Sequence, residues 1–314
     1  MKCLVTGAAG FIGNNLINRL LKEGYEVTAL IYNNKPKYIE KNIKYVTGDI
    51  TNINTIKPYF NDIDYVFHCA AIVKDYGPKK LFFQVNLEGT KNLVNLSEQH
   101  KIKKFVYLSH IRYESDRSHS FYSKTKQLAE EYLLEKYKVD KFPVIIIRPG
   151  NVYGPGATTW LIRPLESIKK NRIYLIDNGQ GIFQHTYIDN LIDAIILSIK
   201  KPEITGEIID ITDGDNTTNW KEYFEAITSM IGKPNIKRSM SRRTAYIISL
   251  FMIGLNKVFK IEPWITPMAV QILSNKNKIS IEKAKKLLGY FPKINLQEGL
   301  KITEEWLEKE NLIC

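Results

Sequence analysis

A tyrosine and a lysine stand four positions apart in the stretch FYSKTKQLAE, as Tyr122 and Lys126. In an α-helix, side chains at that spacing lie one above the other on the same face. A phenol beside an ammonium group suits proton transfer, because the positive charge favours the phenolate. The same spacing is common on solvated helices, so the neighbouring motifs must decide between the two interpretations.

A glycine-rich turn near the amino terminus could hold phosphate groups. The sequence TGAAGFIG places Gly7, Gly10 and Gly13 between a strand-like run and a helical pattern. Glycine permits a tight turn and close approach to a pyrophosphate, and the amide groups at the start of the helix favour an anion. The strand–turn–helix context therefore predicts a dinucleotide-binding site.

The elements that must position these residues are short β-rich runs separated by helical patterns. The strand candidates are residues 2–6, 27–32, 44–47, 65–69, 105–109 and 144–148. Continuous apolar strands separated by helices indicate a parallel sheet covered on both faces. We predict an α/β fold with a doubly wound parallel sheet of the Rossmann type.

The alternation becomes less regular after about residue 155. A helix over 187–199 and a strand over 207–211 still fit the sheet, whereas 213–314 is mostly helical in pattern. We predict a dinucleotide-binding domain of residues 1–155 and 183–212. Residues 156–182 and 213–314 are predicted to form a smaller, mostly helical substrate domain that shares an interface with it.

The composition is that of an ordinary globular protein, with 44% hydrophobic and 25% charged residues. The three cysteines, Cys3, Cys69 and Cys314, have no paired spacing, so neither a disulfide framework nor a metal site is expected. Net charge is +12, but the lysines are scattered and no nucleic-acid-binding motif is present. The amino terminus lacks a signal-peptide pattern, and a cytoplasmic location is expected.

Further motifs follow in the order of a known family. They are GDI at 48–50, HCAA at 68–71, NLEGTKNL at 86–93, YSKTK at 122–126, RPGNVYGPG at 148–156, YIDNLIDAI at 187–195 and KAKKLLGYFPK at 283–293. With the G-x-x-G-x-x-G turn, they make the chain resemble the extended short-chain dehydrogenase/reductases, also called the NAD-dependent epimerase/dehydratase family. The resemblance runs almost end to end and is closest to the branch of 3β-hydroxysteroid dehydrogenases and dihydroflavonol reductases.

The resemblance implies cofactor-binding positions along the whole sheet edge. They are Gly7, Gly10, Phe11, Ile12 and Gly13 at the glycine turn, Asp49 and Ile50 beside the adenine, Ala70 and Ala71 along the passage across the sheet, Asn86 holding the strand ends, and Pro149, Asn151 and Val152 near the nicotinamide amide. His68 and Cys69 are expected to be core residues of a buried strand.

The resemblance also gives the Tyr122 and Lys126 pair a role. Tyr122 is expected to be the general acid/base, and Lys126, together with the positive nicotinamide ring, to lower its pKa and bind the nicotinamide ribose. Ser109 is expected to hold the substrate oxygen, with His110 beside the substrate. Only 13 positions separate Ser109 from Tyr122, so the loop between them is shorter than is usual in extended members.

The sequence leaves the choice between NAD and NADP open. After the second strand, Tyr32 stands where an acidic residue would select NAD or an arginine NADP. Lys35 and Lys37 follow and could neutralise a 2′-phosphate. We expect NADP or NAD, with NADP favoured.

Two motifs of sugar-modifying relatives are missing. No Asp-Glu pair follows Ser109, which argues against dehydration, and Phe183 stands where epimerases carry a diphosphate-binding arginine, with His185 shortly after it. Phe183, His185 and Asn151 are candidate substrate contacts, and Arg163 or Arg172 could replace the missing arginine. The apolar stretch 246–258, with Trp264, would suit a sterol-, flavonoid- or acyl-like group.

We therefore predict an NAD(P)-dependent oxidoreductase that interconverts a secondary alcohol and a ketone on a hydrophobic substrate. The alternatives are a nucleotide-diphosphate-sugar 4-epimerase or reductase and a non-catalytic NAD(P)-binding scaffold. By analogy with relatives, a homodimer is expected through residues 86–99 and 123–137.

The segment TAYIISLFMIGLNKVF, which starts at Thr244, is the most apolar of the chain, and it is too short to cross a bilayer. It is predicted to be a buried helix or a substrate lid. Alternatively, residues 237–258 contact a membrane surface, with Lys237, Arg238, Arg242 and Arg243 meeting lipid phosphates.

Overall fold

The computed structural model describes residues 1–33, 43–112 and 120–313. Its strands are β1 Lys2–Thr6, β2 Glu26–Ile31, β3 Lys44–Thr47, β4 Tyr65–His68, β5 Lys104–Leu108, β6 Val144–Pro149, β7 Asn151–Tyr153, β8 Leu175–Ile176, β9 His185–Tyr187, β10 Glu207–Ile211 and β11 Ser239–Met240. Lys35 and Lys37 lie outside the described residues, so their role at a 2′-phosphate stays a prediction.

The central sheet of the described residues has seven strands in the order β10-β6-β5-β4-β1-β2-β3. Every pairing in it is parallel, with Thr6 of β1 opposite Leu30 on one side and His68 on the other. The strand order reverses at β1, so the carboxyl ends of β1 and β4 flank a crevice where ligands bind in open α/β sheets. The predicted doubly wound Rossmann fold is confirmed.

The helices are α1 Phe11–Lys22, α2 Ile53–Ile56, α3 Lys79–Phe82, α4 Gly89–Gln99, α5 Phe121–Asp140, α6 Arg163–Lys169, α7 Ile188–Ile199, α8 Trp220–Met230, α9 Arg242–Phe259, α10 Pro267–Ser274, α11 Glu282–Leu288 and α12 Leu296–Lys309. Short 3₁₀ turns cover Lys57–Tyr59 and Asp177–Gly179, and π-helical turns cover Phe83–Glu88 and Thr158–Ile162. None of the helices among the described residues has the length and apolar character needed to cross a membrane.

The sheet is covered on both faces because its strand residues alternate between two cores. Val5 of β1 packs with Leu16 of α1 and Leu191 of α7 in one cluster. Leu4, its neighbour in the strand, packs with Leu93 of α4 and Leu133 of α5 in the other. Helix α5, which carries Tyr122, is therefore fixed against the sheet by its own buried face.

The first of these cores continues into the carboxyl-terminal half. Trp220 and Tyr223 of α8, together with Leu288 of α11 and Leu307 of α12, belong to the same cluster as the sheet residues. A smaller cluster joins Ala245 and Met252 of α9 to Val270 of α10. The helices α8, α11 and α12 therefore pack against the same core as the sheet. The predicted domain boundaries stay predictions.

Candidate functional site

A cavity of about 1810 Å³ opens at the carboxyl edge of the sheet. One wall is the glycine turn and the ends of β1, β2, β4, β5 and β6; the other comes from stretches within residues 157–176 and 262–273. This is the position of ligand sites in doubly wound folds. A cavity of this size can hold a dinucleotide and a second molecule.

The glycine turn packs so closely that side chains cannot be added to it. Gly7 has φ +67°, and a Cβ there would lie 2.7 Å from the Ala70 backbone nitrogen. A Cβ on Gly13 would lie 2.3 Å from the Gly7 carbonyl oxygen. The turn is closed by a hydrogen bond that the Gly10 N–H donates to the Gly7 carbonyl at 2.9 Å, and α1 begins at the next residue with no acidic residue in its first turn. The helix amino terminus can therefore attract an anion.

Most of the predicted cofactor-binding residues line this one cavity. They are Gly7, Gly10, Phe11, Ile12, Gly13, Tyr32, Asp49, Ile50, Ala70, Ala71, Pro149, Asn151, Val152 and Tyr122. They come from chain segments far apart in sequence, and the parallel sheet brings them to one edge. The structure thus gives them the common surface that their predicted roles require.

Asn86 is buried and does not line the cavity itself. Its Oδ1 accepts a hydrogen bond from the Ile72 N–H at 2.8 Å, and its Nδ2 donates to the Ile72 carbonyl at 3.2 Å and to Thr125 Oγ1 at 3.2 Å. The buried asparagine therefore ties the loop after β4 to α5, which fits the predicted role of holding strand ends.

His68 and Cys69 differ in position although they are neighbours. The His68 ring is buried between the hydroxyl groups of Thr6, at 2.8 Å, and Thr90, at 2.9 Å, and burial lowers its pKa. It is a core residue as predicted. Cys69 is partly buried: it packs against the core, as predicted, and also lines the cavity, which was not predicted.

Tyr122, Ser109 and His110 meet at one end of the cavity. Tyr122 lies in the first turn of α5, after Ser120, whose side chain caps the helix, and Ser109 directly follows β5. All three residues line the cavity, and the rings of His110 and Tyr122 are 5.0 Å apart between centroids. The shortened loop therefore still allows the serine and the tyrosine to reach the same space.

Lys126 lies one helical turn behind the tyrosine and is buried. Its ammonium group donates a hydrogen bond to the Leu108 carbonyl of β5 and lies 4.1 Å from the centroid of the Tyr107 ring. Burial lowers the pKa of Lys126 to about 7, while the nearby Glu130 acts in the opposite direction. The lysine is therefore close to balance between its charged and neutral forms near neutral pH.

The pKa of Tyr122 moves in the direction opposite to the prediction. Burial raises it, and the carboxylates of Asp75 and Glu130 raise it further. The predicted lowering relied on the positive nicotinamide ring as well as on Lys126, so it does not hold for the protein alone. In the protein alone, the phenol therefore stays protonated near neutral pH.

Glu130 is a site-supporting residue that the motifs did not single out. It continues the face of α5 on which Tyr122 and Lys126 lie, and Arg148 binds it in a bidentate ion pair with contacts of 2.7 and 2.5 Å. Burial raises the pKa of Glu130, but the ion pair with Arg148 outweighs burial, and the pKa is lowered overall. The repeat of four positions along the helix was the signal that could have identified it.

Asp75 is a second residue that sequence reasoning missed. It lines the cavity from the loop after β4, and its carboxylate accepts a hydrogen bond from Thr266 Oγ1 at 2.6 Å. The hydroxyl of the next residue, Tyr76, donates to Glu262 Oε1 at 2.9 Å. These two contacts join the loop of the sheet to the carboxyl-terminal wall. The loop has no periodic pattern, so the sequence held no signal for them.

Phe183 and His185 do not line the cavity. The Phe183 ring stacks on Tyr223 with centroids 3.9 Å apart, inside the core. The His185 ring is buried between the carboxylates of Asp213, at 2.8 Å, and Asp215, at 3.3 Å. These positions contradict the prediction that the two residues contact substrate. Both side chains lie in the protein interior instead.

The arrangement fits a nicotinamide dinucleotide. The glycine turn lies close against the loop after β4, and the cavity that it lines runs from there past Ala70 to Asn151. Asn151 Nδ2 is buried and meets no hydrogen-bond partner in residues 1–33, 43–112 and 120–313. A buried donor of this kind costs free energy unless a ligand satisfies it, and a carboxamide oxygen would do so.

Comparisons with known proteins agree with this geometry. A model of the NAD dependent epimerase/dehydratase family matches residues 3–212. A 3-beta-hydroxysteroid dehydrogenase of Mycolicibacterium neoaurum is 28% identical over 330 residues, covering 95% of this chain and 89% of that protein. A decarboxylating sterol-4-alpha-carboxylate 3-dehydrogenase of Mus musculus is 24% identical over 326 residues, covering 96% and 90%.

Solved structures show the same fold. An epimerase of Methanothermobacter thermautotrophicus superposes with a TM-score of 0.81 at 24% identity, covering 99% of this chain and 93% of that one. The UDP-glucose 4-epimerase of Thermotoga maritima, solved with UDP-glucose, gives 0.79 at 22% identity, covering 99% and 100%. At these identities the structures establish the architecture and leave the substrate open.

Proposed function

Because the chain belongs to the NAD-dependent epimerase/dehydratase family, we propose that it is an NAD(P)-dependent oxidoreductase interconverting a secondary alcohol and a ketone on a hydrophobic substrate. The observation that carries the choice of substrate is the apolar wall of the cavity. It is formed by Trp160, Phe224, Trp264, Ile265, Ile272 and Leu273. Such a wall binds an extended apolar group by removing its surface from water.

The proton in this reaction passes through Tyr122. The bound nicotinamide supplies or accepts the hydride at the substrate carbon. In ketone reduction, the Tyr122 hydroxyl donates its proton to the substrate oxygen, and in alcohol oxidation the phenolate takes that proton back. Burial keeps the phenol protonated, so in the protein alone Tyr122 is in the form that ketone reduction requires, while the raised pKa also makes it a weaker acid than a free phenol.

The other site residues orient the reacting groups. Ser109 lies at the end of β5 and lines the same cavity, so its hydroxyl is the proposed hydrogen-bond partner of the substrate oxygen. Lys126 is the proposed donor to the nicotinamide ribose hydroxyls. Asn151 is the proposed donor to the carboxamide, since its Nδ2 is otherwise unsatisfied in the described part of the chain.

A nucleotide-diphosphate-sugar 4-epimerase is the second candidate, and basic residues in the cavity wall favour it. Arg163, Lys170 and Arg172 line the cavity and are exposed to solvent. Together they could bind a diphosphate, which would replace the arginine that is absent at Phe183. The same cluster would also accept a carboxylate on an otherwise apolar substrate.

A substrate panel separates the candidates. Purified protein is mixed with NADH or NADPH and either a 3-oxosteroid or a long-chain 3-oxo acid, and absorbance at about 340 nm is followed. In a separate arm, the protein is mixed with NAD or NADP and UDP-glucose, and the UDP-galactose formed is measured. We expect steady cofactor oxidation with an apolar ketone and a preference for one of the two cofactors, with NADPH favoured. Conversion of UDP-glucose to UDP-galactose without net oxidation would instead establish the epimerase, and cofactor binding without any turnover would support a scaffold.

Lys126 leads to a prediction on proton uptake. Its pKa of about 7 in the protein should rise when the ammonium group donates to ribose hydroxyls, because those hydrogen bonds favour the charged form. Binding of NADH at about pH 8 is therefore expected to take up most of one proton per chain. Isothermal titration calorimetry in buffers of different ionisation enthalpy measures this uptake.

The matched variant for this measurement is Lys126→Met, which keeps the length of the side chain without the titrating group. It should bind NADH more weakly and without the proton uptake. Uptake that persists unchanged in this variant would show that another group titrates and that Lys126 does not bind the ribose as an ammonium ion.

A further inference from the structure

Helix α9 carries an exposed apolar stripe on its outer face. Ile247, Leu250, Phe251 and Val258 are exposed, with fractional exposures of 67%, 50%, 66% and 70%. Gly254, also exposed, completes the spacing of three or four positions that defines one side of a helix. The opposite side is buried through Ala245, Ser249 and Met252. The sequence predicted a buried helix or a substrate lid, or alternatively a helix on a membrane surface. The exposed outer face corrects the first of these alternatives.

Both ends of this stripe are basic. Arg242 and Arg243 begin α9, and Lys257 and Lys260 lie at its end; all four are exposed. Within Arg242–Phe259 there is no acidic residue. An apolar face flanked by cations is typical of a helix that lies in the plane of a membrane interface, with its charged side chains at the lipid phosphates.

We propose that this stripe, Ile247, Leu250, Phe251 and Val258 with its basic ends, docks the protein on the surface of an anionic phospholipid membrane. A second copy of the chain is a poorer occupant, because any two-fold pairing of the stripe brings basic groups against basic groups with no acidic residue on α9 to offset them. An anionic membrane provides both binding partners: its phosphates attract the basic residues, and its acyl chains accept the apolar side chains.

The docked face adjoins the mouth of the cavity. Phe259 and Ile261, which follow the stripe, are exposed, and Trp264 is half-exposed while also lining the cavity. The segment that follows α9 therefore leads from the stripe to the cavity wall, with the exposed charged residues Lys260 and Glu262 between its apolar residues. If the substrate is hydrophobic, as in the proposed function, it could enter from the bilayer without crossing water.

Vesicle sedimentation tests the docking without any substrate, so its outcome is independent of the proposed activity. The full chain is mixed with vesicles of phosphatidylcholine alone or with about one third phosphatidylglycerol. We expect binding to the anionic vesicles and at least about tenfold less to the neutral ones, with a loss at high salt because the charges are screened.

Phe251→Glu is expected to reduce binding to the anionic vesicles at least about tenfold, since it places a charge in the middle of the stripe. Phe291→Glu is the matched control, because Phe291 has the same 66% exposure but lies outside α9; it should bind as the unchanged chain does. Lys257→Ala with Lys260→Ala tests the basic end.

Three outcomes would overturn the proposal. They are no binding to anionic vesicles, equal loss in the Phe251 and Phe291 variants, and a dimer in analytical ultracentrifugation that Phe251→Glu converts to monomer. The last would assign the stripe to a second copy of the chain.

Discussion

Tyr122→Phe is expected to lower the turnover number by about 10²- to 10⁴-fold, the usual contribution of a general acid or base. The substitution removes only the hydroxyl group, which is the proposed proton donor to the substrate oxygen. The ring remains against His110 and the cavity wall, so the fold and the cofactor site should be preserved. The loss should therefore fall on turnover much more than on cofactor affinity.

Single-turnover kinetics with the best ketone of the panel measure the effect, and fluorescence titration with NADH measures cofactor binding. Tyr132→Phe is the matched control, because Tyr132 lies on the same helix but packs with the core on one side of the sheet, away from the cavity. Near-normal turnover in the Tyr122 variant, with the control also normal, would remove Tyr122 from the proposed mechanism.

The central sheet could be predicted from sequence because its strands are continuous apolar runs. The predicted strand at 2–6 matches β1, and those at 65–69 and 105–109 differ from β4 and β5 by one residue at their ends. Parallel strands buried on both faces leave few alternatives for such runs. Boundaries shifted by one residue at either end of a run: β5 begins at Lys104 rather than at residue 105, and Ser109 leaves the sheet and lines the cavity.

The site was predictable where it depends on local spacing. Gly7, Gly13 and Tyr122 follow patterns set by a turn and by one helix, and the sheet brings them to one cavity. Lys126 follows the same helical spacing but is buried behind Tyr122, against the Leu108 carbonyl. The contacts of Asp75 with Thr266 and of Phe183 with Tyr223 join residues distant in sequence. Such contacts depend on tertiary packing, which no motif encodes. For this reason Phe183 was wrongly predicted to contact substrate, although it packs in the core.

The pKa of Tyr122 could not be predicted from the sequence for a different reason. The family resemblance implied a pKa lowered by Lys126 together with the positive nicotinamide ring. A four-residue spacing, however, says nothing about burial or about the carboxylates nearby, which raise the pKa in the protein alone. Removal from water disfavours the phenolate strongly enough to reverse the direction in the protein alone. Likewise, the apolar run in α9 gave no information on which of its faces would meet the core.

Gly7→Ala is expected to destabilise the protein and to weaken cofactor binding together. The new Cβ would lie 2.7 Å from the Ala70 nitrogen, 2.8 Å from the Cys69 carbonyl carbon and 2.9 Å from the Ala70 Cα. All three are backbone atoms, so no side chain can rotate away. With the positive φ of +67°, strain and overpacking should lower the free energy of unfolding by about 2 to 5 kcal/mol.

The backbone that must yield carries Ala70 and Ala71, which line the same cavity as the glycine turn. Displacing it separates the turn from the passage across the sheet, so NADH affinity should fall by at least about 100-fold, since small displacements of a binding surface are costly. Thermal or denaturant unfolding of the protein without cofactor, followed by NADH titration of the folded fraction, measures the two effects separately.

Gly24→Ala is the matched control for backbone strain. Gly24 also has a positive φ, +81°, but a Cβ there meets nothing within 4 Å. Gly24→Ala should lower the free energy of unfolding by only about 1 to 2 kcal/mol, because only the backbone conformation is strained. It should leave NADH affinity unchanged. Equal destabilisation in the two variants, with NADH affinity retained in Gly7→Ala, would mean that close packing between the turn and the loop after β4 does not shape the dinucleotide site.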